Sequence, residues 1–308
     1  MSTAPATRIA PGRPPARAPE PGLLLRLTGP LQSWGEHSHF NERDTAGFPT
    51  RSGVIGLLAA ALGRSRTAPI DDLTGISLTV RIDRPGVLLR DLHTVGGGLP
   101  AKGTVTTAEG KKRSGDTGTL LTHRMYLADA AFTAALAFPD GSDDLALQCA
   151  QALLASQWPP FLGRRSCPPE GPVLLARTAD TLAHLVHLPL AADPHARAAD
   201  TEFVSDRPLD RLPVPDPAPD APHAGGGHAG APTGADPDDG SNPSGAVTDD
   251  PVSFHPRSRT YRARELYRRR VPLSAPSALG AEHLDALRAY LTDHALAPLA
   301  APLEGSHR

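Results

Sequence analysis

Between Pro213 and Pro251 the chain carries seven aspartates and no lysine or arginine, set among proline, glycine and alanine without apolar periodicity. Such a stretch has too little apolar surface to repay the entropy of ordering a backbone. It bars any fold that needs a continuous core through this region, and it divides the chain. Residues 1–21, rich in proline, alanine and arginine, read as a disordered tail. Residues 22–212 alternate strand and helix signals and form the expected folded domain. Residues 213–252 read as a flexible Pro/Gly/Asp insertion, and residues 253–308 as a smaller C-terminal basic segment followed by a short helix.

The formal net charge of −2 hides an asymmetry, because the chain without those seven aspartates carries about +5. A moderately basic folded part suits a polyanionic partner, though charge alone does not identify one. Cys149 and Cys167 make no Cys-x-x-Cys pair and no zinc-like Cys/His spacing. A reducing cytoplasm is the expected location. No apolar signal region and no run near the roughly 18 apolar residues of a membrane span is visible. No cofactor, metal or membrane contact is expected.

Leu23, Leu25 and Leu27 alternate with Arg26 and Thr28, which predicts a strand ended by Gly29-Pro30. A loop rich in Gly, His and Arg runs to about Thr50. Ser52 is the expected N-cap of a helix over Gly53–Leu62, apolar nearly all round and closed by Gly63. Ile76–Ile82 and Gly86–Val95 read as extended. The pattern is lost from Gly96 to Thr122 and returns at Met125–Phe138. Ser142 then precedes a helix whose first turn holds Asp143 and Asp144, and a last strand is expected at Val173–Ala176. Strand, helix, strand, excursion, strand, helix, strand is the order of an α+β, ferredoxin-like (RRM-like) domain, a framework shared by many RNA-binding modules.

The search for catalytic motifs is mostly negative. There is no Walker-type phosphate loop, no dinucleotide fingerprint and no G-x-S-x-G elbow. The carboxylate pairs Asp71-Asp72 and Asp143-Asp144 read as helix-start residues favoured by the macrodipole.

Four strings carry a resemblance. "LRLTGPLQSWGEHSHFNERDTAGFPTRSGVIGLLAAALG" (Leu25–Gly63), "RDLHTV" (Arg90–Val95), "MYLADAAFTAAL" (Met125–Leu136) and "PFLGRRSCP" (Pro160–Pro168) stand in the order and at the spacing of the CasD family of type I-E CRISPR Cascade subunits, in the RAMP superfamily. The chain resembles that family over residues 22 to about 176, and more weakly over Tyr261–Val271. The resemblance implies a ferredoxin-like RAMP fold with a long β-hairpin thumb at about 96–122. It implies binding to the 5′ handle of CRISPR RNA, beside the CasC backbone, the large CasA subunit, the CasE endonuclease and the CasB pair, with target DNA met only indirectly. The 213–252 insertion and both tails depart from the family pattern.

Residues can then be attached to RNA contact. Arg51, Ser52 and Gly53 open a helix whose free N–H groups and dipole favour a phosphate, with an exposed arginine before an ordinary helix as the plain alternative. Gln32 and Trp34 follow the first strand, and Trp34 either stacks on a base or seals the sheet. Arg43 is a loop cation for phosphate or an ordinary surface arginine. His93 stands where the chain leaves the sheet, as a base or phosphate donor or a turn histidine. Lys111, Lys112 and Arg113 mark the thumb tip, and His123 and Arg124 its return. Arg164 and Arg165 suit a phosphate, a subunit carboxylate or an internal salt bridge. Arg262 and Arg264 lie in a basic stretch, Arg257–Arg270, interleaved with Tyr261 and Tyr267.

The expected role is binding without catalysis. The competing class is a metal-independent endoribonuclease that cuts the repeat, for which His37, His39, His93, His123 and Tyr126 are the available acid–base groups. A scaffold without RNA contact is a third class.

Overall fold

The computed structural model describes residues 17–36, 38–39, 41–95, 111, 119–194, 200–214 and 239–296. Its centre is a seven-stranded sheet built from β1 (Gly22–Thr28), β5 (Ser77–Arg84), β8 (Ala131–Ala137), β9 (Leu174–Thr178), β10 (Thr201–Ser205), β11 (Gly245–Ser253) and β12 (Thr260–Val271). The spatial order is β11-β12-β10-β5-β8-β1-β9, and every neighbouring pair is antiparallel.

Alternation decides which face each side chain meets. Leu23, Leu25 and Leu27 lie under α1 (Arg51–Ala61) and α2 (Asp143–Leu154), in a core with Ile55, Leu58, Phe132 and Cys149. Leu24 points the other way, toward Phe203 and Tyr267, where α3 (Thr181–His187) and α4 (Gly280–Asp293) add Leu185 and Leu287. Each buried leucine contributes about 1.5–3 kcal/mol. Because both faces are covered, Arg26 and Thr28 are buried too, not solvated. Arg81 is 0% exposed on this second face. It pairs with Asp83 at 2.6 Å and donates to the carbonyls of Leu185, Leu188 and Pro189 at 2.6–2.9 Å. The pair therefore fixes the end of α3 to the sheet with its charges hydrogen-bonded.

A second sheet holds β2 (Leu31–Gln32), β3 (Ser38–His39), β4 (Glu42–Arg43), β6 (Val87–Val95) and β7 (Leu120–Ala128). β6 and β7 form a hairpin paired from Val87↔Ala128 to Val95↔Leu120.

Several expectations need correction. The returning stretch Met125–Phe138 is two strands in two sheets, broken at Asp129 with φ 54°. The excursion expected at 96–122 belongs to a hairpin whose described stem begins at Val87, and residues 96–110 and 112–118 lie outside the described residues. Thr50, not Ser52, takes the N-cap position, which places Ser52 inside α1. The strand at Leu174–Thr178 is not the last, since β10, β11 and β12 extend the sheet. Residues 239–252 are not a flexible insertion: most of them form β11, which pairs with β12. Residues 215–238 lie outside the described residues. At the other end, residues 17–21 pack on the fold, where Arg17 pairs with Asp180.

Candidate nucleic-acid interface

α1 brings its N-terminal half against Trp34 because Gly53 has no side chain. A Cβ there would stand 2.7 Å from the indole Cε3. Trp34 is consequently 0% exposed. Its Nε1–H donates to Gln32 Oε1 at 3.0 Å, and Gln32 Nε2 donates to the carbonyls of Leu27 and Ala130 at 3.0 and 2.8 Å. Trp34 and Gln32 are thus corrected from RNA contacts to a satisfied buried pair, and Gly53 gives close approach to an indole.

The helix N-terminus is occupied from within. Asp249, from β11, accepts the Arg51 backbone N–H at 2.7 Å, the place proposed for a phosphate. The Arg51 guanidinium is buried and spent on Asp206 (2.6 Å), Asp250 (2.9 Å) and the carbonyls of Thr74 and Ile76. Arg264 grips both oxygens of Asp249 at 2.6 and 3.0 Å, and Arg262 pairs with Asp250 at 3.1 Å. Burial pushes the Asp206 carboxyl up, and the Arg51 charge opposes it. Arg51 and Arg264 are therefore corrected from phosphate contacts to ties between α1, β11 and β12. The exposed Arg262 extends that network to the surface.

Beside this lock lies a cleft of about 810 Å³, walled by α1, the loops at 33–36, 64–66 and 158–165, and the β11–β12 hairpin. Six arginines line it: Arg43, Arg64, Arg66, Arg164, Arg165 and Arg259. Arg64 is held by Asp72, which is itself a turn residue and not a helix start. Arg164 is spent on the carbonyls of Met125, Arg43 and Asp44 at 2.8–3.0 Å and stacks on Tyr126, so its role is bracing. Arg43, Arg66, Arg165 and Arg259 are exposed, and none forms an ion pair among the described residues. Trp158, Phe161, Phe254 and Tyr261 supply aromatic wall, and Ser52 lines the cleft from α1. Cations without ion pairs among the described residues, beside the exposed Trp158 and the partly buried Phe161, Phe254 and Tyr261, match the chemistry of single-stranded nucleic acid.

The structure thus brings together Arg43, Ser52, Gly53, Arg164 and Arg165 from the expected set, with the buried Trp34 behind the same wall. It places His93, His123, Arg124 and Lys111 elsewhere, on or next to the β6–β7 hairpin, while Lys112 and Arg113 lie outside the described residues. His93 contacts Asp91. His93 is paired with Thr122 and His123 with Leu92, so the two imidazoles leave opposite faces of the hairpin. Tyr126 is buried, with its hydroxyl 3.4 Å from Ser166.

Sequence reading missed Arg64, Arg66 and Trp158. Their signal was present: two arginines directly after the helix-closing Gly63 (φ 72°), and a tryptophan in a proline-bounded loop where no apolar period demands one.

A family model described as CRISPR-associated protein (Cas_Cas5) matches residues 22–267. The CRISPR system Cascade subunit CasD of Escherichia coli (strain K12) is 38% identical over 164 residues, 50% of this chain and 69% of that protein. One chain of a solved CRISPR RNA-guided surveillance complex is similar at TM-score 0.67 and 37% identity, over 88% of this chain and 99% of its own length. A solved structure described as a Cas protein is similar at TM-score 0.52 and 28% identity, over 84% and 100%.

Proposed function

Since the chain belongs to the Cas5 family of CRISPR-associated proteins, as a CasD-type Cascade subunit, we propose that it holds the 5′ handle of the CRISPR RNA in its arginine-lined cleft, without cutting it. The observation that carries this is the cleft itself, with aromatic walls and four exposed arginines that form no ion pair among the described residues. A folded protein that leaves cations unpaired beside aromatic surface keeps them for an anion with π-faces. The order β9-β1-β8-β5, with α1 and α2 on one face, supports the ferredoxin-like RAMP reading. The β6–β7 hairpin supports the thumb, and its basic residues (Arg90, Lys111 and Arg124) suit contact with the guide or the neighbouring subunit. CasC, CasA and the remaining Cascade subunits are the partners in this proposal, and the cytoplasm its location. Among the described residues no helix is long and apolar enough to cross a membrane.

The ribonuclease alternative needs an acid and a base converging on one phosphate. The opposite facing of His93 and His123 and the burial of Tyr126 favour binding alone. Two measurements test the proposal. A Cascade complex reconstituted without this subunit is expected to lose crosslinks to the handle and to hold its guide more weakly. Labelled repeat RNA incubated with the pure subunit without metal is expected to stay intact on a denaturing gel. Discrete cleavage abolished by His93→Ala or His123→Ala would establish the enzyme instead.

A further inference from the structure

The chain has two tryptophans, and they sit in opposite circumstances. Trp34 is sealed in the core with its indole N–H satisfied. Trp158 is 44% exposed and lines the cleft. Its backbone N–H donates to the Ala60 carbonyl at 3.3 Å, which ties its loop to the end of α1. Pro159 and Pro160 follow at once, so the backbone that presents the ring is restricted in advance and loses little freedom when a ligand arrives. A tryptophan offers the largest apolar face of any side chain, and leaving it half in water is costly unless something covers it. Three exposed arginines without ion pairs among the described residues, Arg66, Arg165 and Arg259, line the same concavity. Its volume, about 810 Å³, falls within the range of small-ligand sites, which fits one or two nucleotides and not a duplex.

We propose that Trp158 is the stacking platform for an unpaired nucleobase of the bound RNA, whose flanking phosphates are held by Arg66, Arg165 and Arg259. This rests on the RNA-binding reading and adds to it a contact that depends on a base and not on the backbone alone. Every base has a π-face, so the platform tolerates sequence and rejects paired strands, whose bases are already stacked.

Because Trp34 is shielded, Trp158 reports on its own site. The full chain is titrated with single-stranded handle RNA, with the same RNA carrying one abasic position at a time, and with an RNA duplex. Tryptophan emission and the anisotropy of labelled RNA are read in parallel, and Trp158→Phe protein gives the Trp34 baseline. Single-stranded RNA is expected to quench the emission and the duplex to leave it unchanged. One abasic position should remove most of the quench. Trp158→Ala should weaken binding by about 5- to 100-fold, and Trp158→Phe by less, since an aromatic face remains. If RNA binds with arginine-dependent affinity while Trp158 emission and Trp158→Ala affinity stay unchanged, the platform is refuted and the RNA-binding reading stands. If no RNA binds by anisotropy, both are refuted.

Discussion

Arg51 donates to four acceptor groups inside the fold, whereas Arg165 has no ion pair among the described residues. The same side chain thus serves two ends, decided by what surrounds it. Arg51→Ala would leave the largely buried Asp206 with the Leu78 N–H but without its cation, while Asp250 keeps Arg262, so it is expected to cost about 3–5 kcal/mol of stability, read as a lower denaturant midpoint. Arg165→Ala is expected to change that midpoint by no more than about 0.5 kcal/mol and to weaken RNA binding. An unaltered midpoint for Arg51→Ala would show that the buried lock contributes nothing. Gly53→Ala pits two effects against each other. Helix propensity favours alanine by about 1 kcal/mol. The new methyl would meet the Trp34 ring at 2.7 Å, an overpacking that costs about 1–3 kcal/mol. A lower melting temperature is expected, with a changed near-UV signal from Trp34.

Legibility at the scale of elements followed the apolar period. β1, β5, α2 and the shared face of Leu23, Leu25 and Leu27 could be read from alternation, whereas the second core under Leu24, which also buries Arg26 and Thr28, could not. β11 could not. Its sequence, GAVTDDPVS, holds two aspartates and a proline, which read as loop. Proline is tolerated because β11 is an edge strand, and the aspartates are spent on Arg262 and Arg264 across the β11–β12 hairpin and on Arg51, about 200 residues away in sequence. The arginines of the candidate site misled for the same reason: Arg51 and Arg264 look like phosphate ligands until the chain brings Asp206, Asp249 and Asp250 to them. α4 carries its own prediction. His283, 3% exposed, donates to the Pro189 carbonyl, and His184 meets the Tyr290 hydroxyl at 3.0 Å. Burial lowers both imidazoles, helped for His184 by the neighbouring His294, while Asp83 pulls His283 up and Arg26 and Arg81 oppose it. An imidazole depressed in the folded state leaves the unfolded chain holding more protons below its ordinary value of about 6.5. The docking contribution is therefore complete above that value and lost as pH falls through the folded ones. Protection factors of the α4 amides, taken against intrinsic exchange at each pH, should fall between about pH 7 and pH 5, and His283→Gln should flatten that dependence.

For the molecule as a whole, a net charge of −2 would suggest indifference to RNA, yet the charge is unevenly placed. The internal ion pairs absorb much of the acid on the folded part, and the cleft keeps four arginines outside them. Screening over about 8–10 Å at physiological ionic strength makes any carboxylate farther than that from the cleft a weak competitor for what it binds. Affinity should then depend on the local set and not on the total. For a single strand, each neutralised phosphate contributes about −0.7 to the slope of log K against log salt. With Arg43, Arg66, Arg165 and Arg259 each meeting one phosphate, the slope for single-stranded handle RNA should lie near about −3. Each Arg→Ala change among the four should flatten it by about 0.7, while Arg262→Ala, on the lock, should leave it unchanged. Anisotropy titrations at several salt concentrations give these slopes directly. A slope insensitive to all four substitutions would move the RNA off the cleft and onto the hairpin, where Arg90, Lys111 and Arg124 would be the next arms of the same titration.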